Sequence, residues 1–142
     1  MERTVNIRPY EESDEETVCR LWREVFSDDP PWNVPEEDIR RKKEVQPELF
    51  FIAEVEGEVV GTAVTGYDGH RGWVYCVAVA PAYRREGVGR ALMDRVERDL
   101  AQIGCHKLNL QVRSGNDDAV EFYGKLGYNI EERVSMGKLL ER

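Results

Sequence analysis

Trp73-Val-Tyr-Cys-Val-Ala-Val-Ala-Pro81-Ala-Tyr-Arg84-Arg85-Glu-Gly87-Val-Gly89-Arg-Ala-Leu92 is the stretch on which the reading of the chain turns. It begins as a β-branched and aromatic run, meets a proline, passes a basic turn with two glycines and continues as an amphipathic pattern. Strand, glycine turn and helix in that order aim backbone N–H groups and a helix N-terminus at an anion.

Downstream, Val88, Ala91, Leu92, Val96, Leu100 and Ile103 fall on one helix face, and Gly104 is placed to end that helix. Leu108 to Val112 alternates apolar and polar residues as a strand. With a helix between, it is expected to run parallel to the strand at 73–80 through a right-handed crossover. Asn116 is placed to cap a short helix carrying Phe122 and Tyr123 that stops at Gly127. Tyr128 to about Leu140 is expected to add one or two strands.

Upstream, Val5-Asn-Ile-Arg-Pro9 reads as a short first strand. Ser13 and Glu16 read as a capping box for a helix whose apolar face is Val18, Leu21, Trp22, Val25 and Phe26. Pro35 opens a second helix to about Val45, with acids first and bases last, as the helix dipole favours. Leu49–Val55, Val59–Tyr67 and Trp73–Ala80 are joined by connections too short for crossovers, so they are expected as antiparallel neighbours.

Of the 142 residues, 41% are hydrophobic and 34% charged, a globular composition. No apolar run approaches the ~20 residues of a spanning helix, and the N-terminus has no signal-peptide core, so a cytoplasmic protein without membrane attachment is expected. A net charge of -8 argues against sequence-independent nucleic-acid binding. Cys19, Cys76, Cys105, His70 and His106 show no metal-ligand spacing, so no metal is expected.

Two familiar phosphate motifs fail on the quoted stretch. A P-loop needs Lys and a hydroxyl where Arg90 and Ala91 stand, and a dinucleotide fingerprint needs glycine where Leu92 stands. What remains is Val77-x-Val79-x-Pro81 followed by Arg84-x-x-Gly87-x-Gly89 and a helix. Together with Asn116 and Phe122-Tyr-Gly-Lys-Leu-Gly-Tyr128, it resembles the GNAT superfamily of acetyl-CoA-dependent N-acetyltransferases, over nearly the whole chain. Trp32-Asn33 and Tyr67 to Gly72 resemble, more narrowly, a bacterial YpeA-like subgroup.

The resemblance implies one N-acetyltransferase domain over residues 1–142 with an α+β fold. Its mixed, largely antiparallel twisted sheet has roughly six or seven strands beside about four helices, the central parallel pair splaying into an acetyl-CoA cleft. The donor pyrophosphate is expected on the backbone of Arg85, Glu86, Gly87, Val88, Gly89 and Arg90, both glycines taking positive φ, with Arg84 or Arg85 adding charge. Backbone groups at Val77 and Val79 are expected to meet the pantetheine and the thioester oxygen beside a bulge. Asn116 is expected on the cofactor, and Tyr123 is expected to protonate or hydrogen-bond the leaving thiolate.

The fourth strand has Tyr75 and Cys76 where many relatives carry a glutamate, which leaves Asp68, His70 and Tyr75 as candidate bases. Trp32 reads equally as a loop anchor or an acceptor-lining residue. The function implied is direct acetyl transfer from acetyl-CoA to the primary amine of a small molecule or a protein, by a monomer or homodimer. The alternatives are a CoA-binding regulator of the same fold, and a non-catalytic module binding another phosphate.

Overall fold

The computed structural model describes residues 4–140. It divides into two compact units, one ending at Gln111 and one beginning at Val112.

The first unit is a five-stranded sheet in the order β1 (Val5–Pro9), β2 (Phe50–Val55), β3 (Glu58–Tyr67), β4 (Gly72–Val79) and β5 (Leu108–Leu110). Neighbours are antiparallel except β4 and β5, which are parallel. The β2–β3 turn takes positive φ at both Glu56 (53°) and Gly57 (81°), the handedness that suits a two-residue hairpin connection. β1 is an edge strand and ends on Pro9, where a missing N–H costs no ladder bond. Arg95 of α3 (Val88–Gln102) donates to the Ile7 carbonyl at 2.9 Å.

Helices cover both faces of the sheet. On one face α1 (Glu15–Val25) and α2 (Pro35–Lys42) bury Val18, Leu21, Trp22 and Ile39 against Phe50, Ile52, Val64 and Ala78. On the other, Val88, Leu92, Met93, Val96 and Leu100 of α3 are buried, and Arg95 lies over the Phe51 ring at 5.0 Å. Two strand glycines let α3 come this close. A Cβ on Gly61 would stand 3.0 Å from both the Ala78 carbonyl and Val88 Cγ1, and one on Gly72 would stand 2.7 Å from Cys105 Sγ.

The helix start expected at Ser13 lies elsewhere. Glu12–Asp14 form a 3-10 turn in a capping box whose N-cap is Glu11, with Asp14 three residues on reaching back to accept the Glu11 N–H at 2.8 Å. Asp14 also receives both Arg8 terminal nitrogens at 2.8 Å, which tie the turn to β1. β5 is shorter than expected, ending at Leu110.

The second unit contains α4 (Asp117–Lys125), which stops at Gly127 with φ 100°. The sixth and seventh strands expected over Tyr128–Leu140 are absent among the described residues. Ile130, Val134 and Met136 are 84%, 89% and 91% exposed there. An extended segment becomes a strand only by pairing, and Glu131-Glu132-Arg133 and Gly137 interrupt the alternation that would bury one face.

Candidate functional site

Besides a register shift at Ala53–Glu54 between β2 and β3, the sheet departs from regularity in the C-terminal half of β4. Thr62 pairs with Ala78 and Val64 with Tyr75, so Ala63 faces the extra length of Cys76 and Val77. Cys76 sits in the left-handed region at φ 50°, a conformation that costs a residue with a side chain about 1–2 kcal/mol. Such a bulge turns two consecutive side chains to one face. Tyr75 stands opposite Val64 of the α1–α2 core, and Cys76 packs against that same core. The ladder to β5 covers only Gly72–Val74, so among the described residues Tyr75–Val79 pair with β3 alone. The expected bulge is therefore present beside Val77 and Val79, and the β4–β5 ladder stops short of it at Val74 and Leu110, where β5 ends.

The bulge carbonyl has a buried partner. Thr62 Oγ1 donates to the Cys76 oxygen at 2.8 Å and accepts the Trp22 indole N–H at 2.9 Å. Neither Thr62 nor Trp22 was singled out for a site by sequence, because a threonine in a strand and a tryptophan on an apolar helix face read as ordinary packing.

After β4, Pro81–Tyr83 form a 3-10 turn and the chain reverses through Arg84–Gly87 into α3. Arg85 (φ 64°) and Gly87 (φ 84°) both take the left-handed conformation. Gly87 is the N-cap of α3 and offers no side chain. The first intrahelical bond runs from the Ala91 N–H to the Gly87 oxygen at 3.0 Å, so the N–H groups of Val88, Gly89 and Arg90 precede the helical ladder. An uncapped first turn of this kind is an anion site in waiting. The expected positive φ holds for Gly87 and not for Gly89, which is already inside the first helical turn. The Arg84 side chain folds back to the Val79 carbonyl at 3.3 Å and ties the turn to the end of β4. Arg85, Glu86 and Arg90 are exposed at the surface of the turn.

The candidate bases separate. Asp68 accepts the N–H groups of His70 and Arg71, both at 2.8 Å, and these bonds hold its carboxyl below the usual range. Asp68 and His70 belong to the β3–β4 turn, whose strands meet at Tyr67 and Gly72. Gly72 to Cys76 is about 13 Å of strand, so both stand away from the bulge. Tyr75 lies beside it, and burial pushes its phenol up. Asp38, in the acidic first turn of α2, reads from sequence as a dipole-compensating charge. Burial raises its carboxyl above the usual value, it accepts Arg41 at 2.6 Å, and its charge reaches both Tyr75 and Cys76. The Cys76 thiol is driven up to about 12, chiefly by burial, and stays protonated, so it is not a nucleophile at neutral pH. Trp32 is 56% exposed, which removes its reading as a core anchor.

In the second unit Asn116 is the N-cap of α4, its Oδ1 accepting the Ala119 N–H at 3.2 Å. The Tyr123 ring meets Phe122 and Tyr128 edge-on, at 4.9 and 5.9 Å between centroids. Burial pushes its phenol up to about 12. No helix of the described residues is long and apolar enough to cross a membrane, and no cluster of three potential metal ligands occurs among them.

Residues 17–128 match the acetyltransferase (GNAT) family. An acetyltransferase of Yersinia enterocolitica is 45% identical over 136 residues, covering 96% of each chain. The crystal structure of Ard1 from Thermoplasma volcanium superposes with a TM-score of 0.77 at 31% identity, over 89% of this chain and 84% of that one. An aminoglycoside N-acetyltransferase, AAC(6')-Iy in complex with CoA, superposes at 0.79 with 20% identity, over 98% and 97%. That last likeness is one of fold.

Proposed function

We propose that this chain, which belongs to the acetyltransferase (GNAT) family, moves an acetyl group from acetyl-CoA to a primary amine by direct attack, working as one cytoplasmic domain. The observation that carries the reading is the uncapped start of α3 behind Gly87, which follows a β4 bulged beyond the end of its ladder to β5. Helix dipole and free N–H groups suit the donor pyrophosphate, with Arg85 and Arg90 beside them. The β4 backbone at Val77 and Val79 suits the pantetheine amides and, at the thioester oxygen, the charge that grows when the amine attacks.

Tyr123 serves the leaving thiolate in this reading, and Asn116 a donor contact alongside its capping bond. A lysine-like acceptor, titrating near ~10.4, must lose a proton first. Asp38 is the carboxylate whose charge reaches the Tyr75 side of the bulge. Cys76, held protonated, forms no acyl intermediate.

Calorimetry with acetyl-CoA and with CoA tests the donor, and binding of neither would end this reading. A screen of polyamines, amino acids, aminoglycosides and protein N-termini, followed by CoA release, then tests transfer. Donor binding without release for any amine would instead favour a CoA-binding regulator.

A further inference from the structure

We propose that Thr62, backed by Trp22, is a positioning residue for the acetyl donor: it fixes the β4 bulge by holding the carbonyl of Cys76. Three observations converge on it. Thr62 is fully buried on the α1–α2 face of β3, where a hydroxyl without partners would be costly. Its oxygen is used twice, accepting from Trp22 at 2.9 Å and donating to Cys76 at 2.8 Å. The residue it holds is the one in β4 with a left-handed backbone, at the point where the β3–β4 register breaks.

Cys76 has a side chain, so its conformation persists only while its surroundings impose it. The Trp22–Thr62 chain is such a constraint, and each bond in it polarises the next. Trp22 is itself fixed, stacked 5.9 Å from Phe50 between α1 and the sheet. Its indole therefore gives the threonine hydroxyl one orientation, with the proton toward Cys76. The amide of the next residue, Val77, inherits its direction from that carbonyl, since both belong to one peptide plane. A side chain on β3 thus sets the aim of a backbone donor on β4 that it does not touch.

The proposal rests on the reading that β4 amides meet the donor's acetyl group. The probe is acetyl-CoA labelled with carbon-13 at the acetyl carbonyl, whose resonance moves downfield when the oxygen accepts hydrogen bonds. Wild-type protein and Thr62→Ser, which keeps the hydroxyl, are expected to displace the resonance. Thr62→Val is expected to lose that displacement while CoA affinity, held mainly at the glycine turn, falls by no more than a few fold. Cys76→Val keeps the buried pair but resists positive φ, and is expected to lose the displacement as well, whereas Cys76→Gly retains it. Cys76→Val decides the matter if Thr62→Val does not fold.

Full displacement in folded Thr62→Val, or in Cys76→Val, would overturn the proposal. So would a parallel loss of displacement and CoA affinity in both variants, the mark of general damage. Wild-type protein that binds acetyl-CoA without displacement removes this inference and leaves the acetyl-transfer reading standing; wild-type protein that does not bind removes both.

Discussion

At Tyr123 burial both suits and limits the proposed chemistry. A phenol pushed up to about 12 stays protonated at neutral pH and so is in its donor form. Full proton transfer to a thiolate titrating near ~8.5 would then run uphill by roughly 5 kcal/mol. In the proposed mechanism the role left to Tyr123 is a hydrogen bond to the departing sulfur. Tyr123→Phe should lower kcat by about a hundredfold with little change in acetyl-CoA affinity, measured by steady-state rates and calorimetry. Turnover should rise with pH as the acceptor amine deprotonates, and an alkaline fall abolished by Tyr123→Phe would contradict the raised value. Asp14 is a second residue whose charge state has a computable consequence. Burial pushes its carboxyl up, but hydrogen bonds from Arg8 and the Glu11 N–H outweigh that and hold it below the usual range. A depressed native value stabilises the fold above the ordinary carboxylate range, and the gain is lost as pH falls through the native value. Asp14→Asn should cost about 2 kcal/mol at neutral pH. Thermal melts of variant and parent should converge in acid.

Among the elements, α3 and its approach carry the proposed donor site, and two glycines control their geometry for different reasons. Gly61 is a matter of space: a methyl group there would press on Val88, the first residue of α3, and on the Ala78 carbonyl of β4. Gly61→Ala should cost about 1–3 kcal/mol in denaturant unfolding. It should also raise the acetyl-CoA Kd, because the helix start must move away from the sheet. Gly87 is a matter of conformation, since nothing lies near its added Cβ but its φ is 84°. Gly87→Ala should weaken acetyl-CoA and CoA alike in calorimetry, with a stability loss of about 1–2 kcal/mol. Elements with both a periodic face and a chemical stop were legible in the sequence. α3 ends where Gly104 takes φ 96°, and α4 begins at Asn116 and ends before Gly127. At the start of α1 the capping box formed at Glu11 and Asp14 instead of Ser13 and Glu16, and Asp14 there is also bound by Arg8 of β1. Local sequence does not contain that information.

For the whole molecule, a net charge of -8 opposes an anionic donor and attracts a cationic acceptor. In the proposed reading the donor is held by local N–H groups and arginines, whose short-range contacts salt screens less than the long-range field. In kinetics over increasing salt, KM for a polycationic amine should rise more steeply than KM for a singly charged one. Equal slopes would rule out electrostatic steering of the acceptor. The order of strands and helices, the parallel β4–β5 pair and the glycine turn followed from periodicity, turn chemistry and connection length, all properties of neighbouring residues. So did the stretch Trp73 to Leu92 as the place to look. The left-handed Cys76, the buried Trp22–Thr62 chain that holds it and the charge of Asp38 reaching Tyr75 came only with the tertiary structure. These pair residues 14 to 40 positions apart, and only pairing β3 with β4 and packing α1 and α2 onto the sheet brings them within range of a hydrogen bond or a charge.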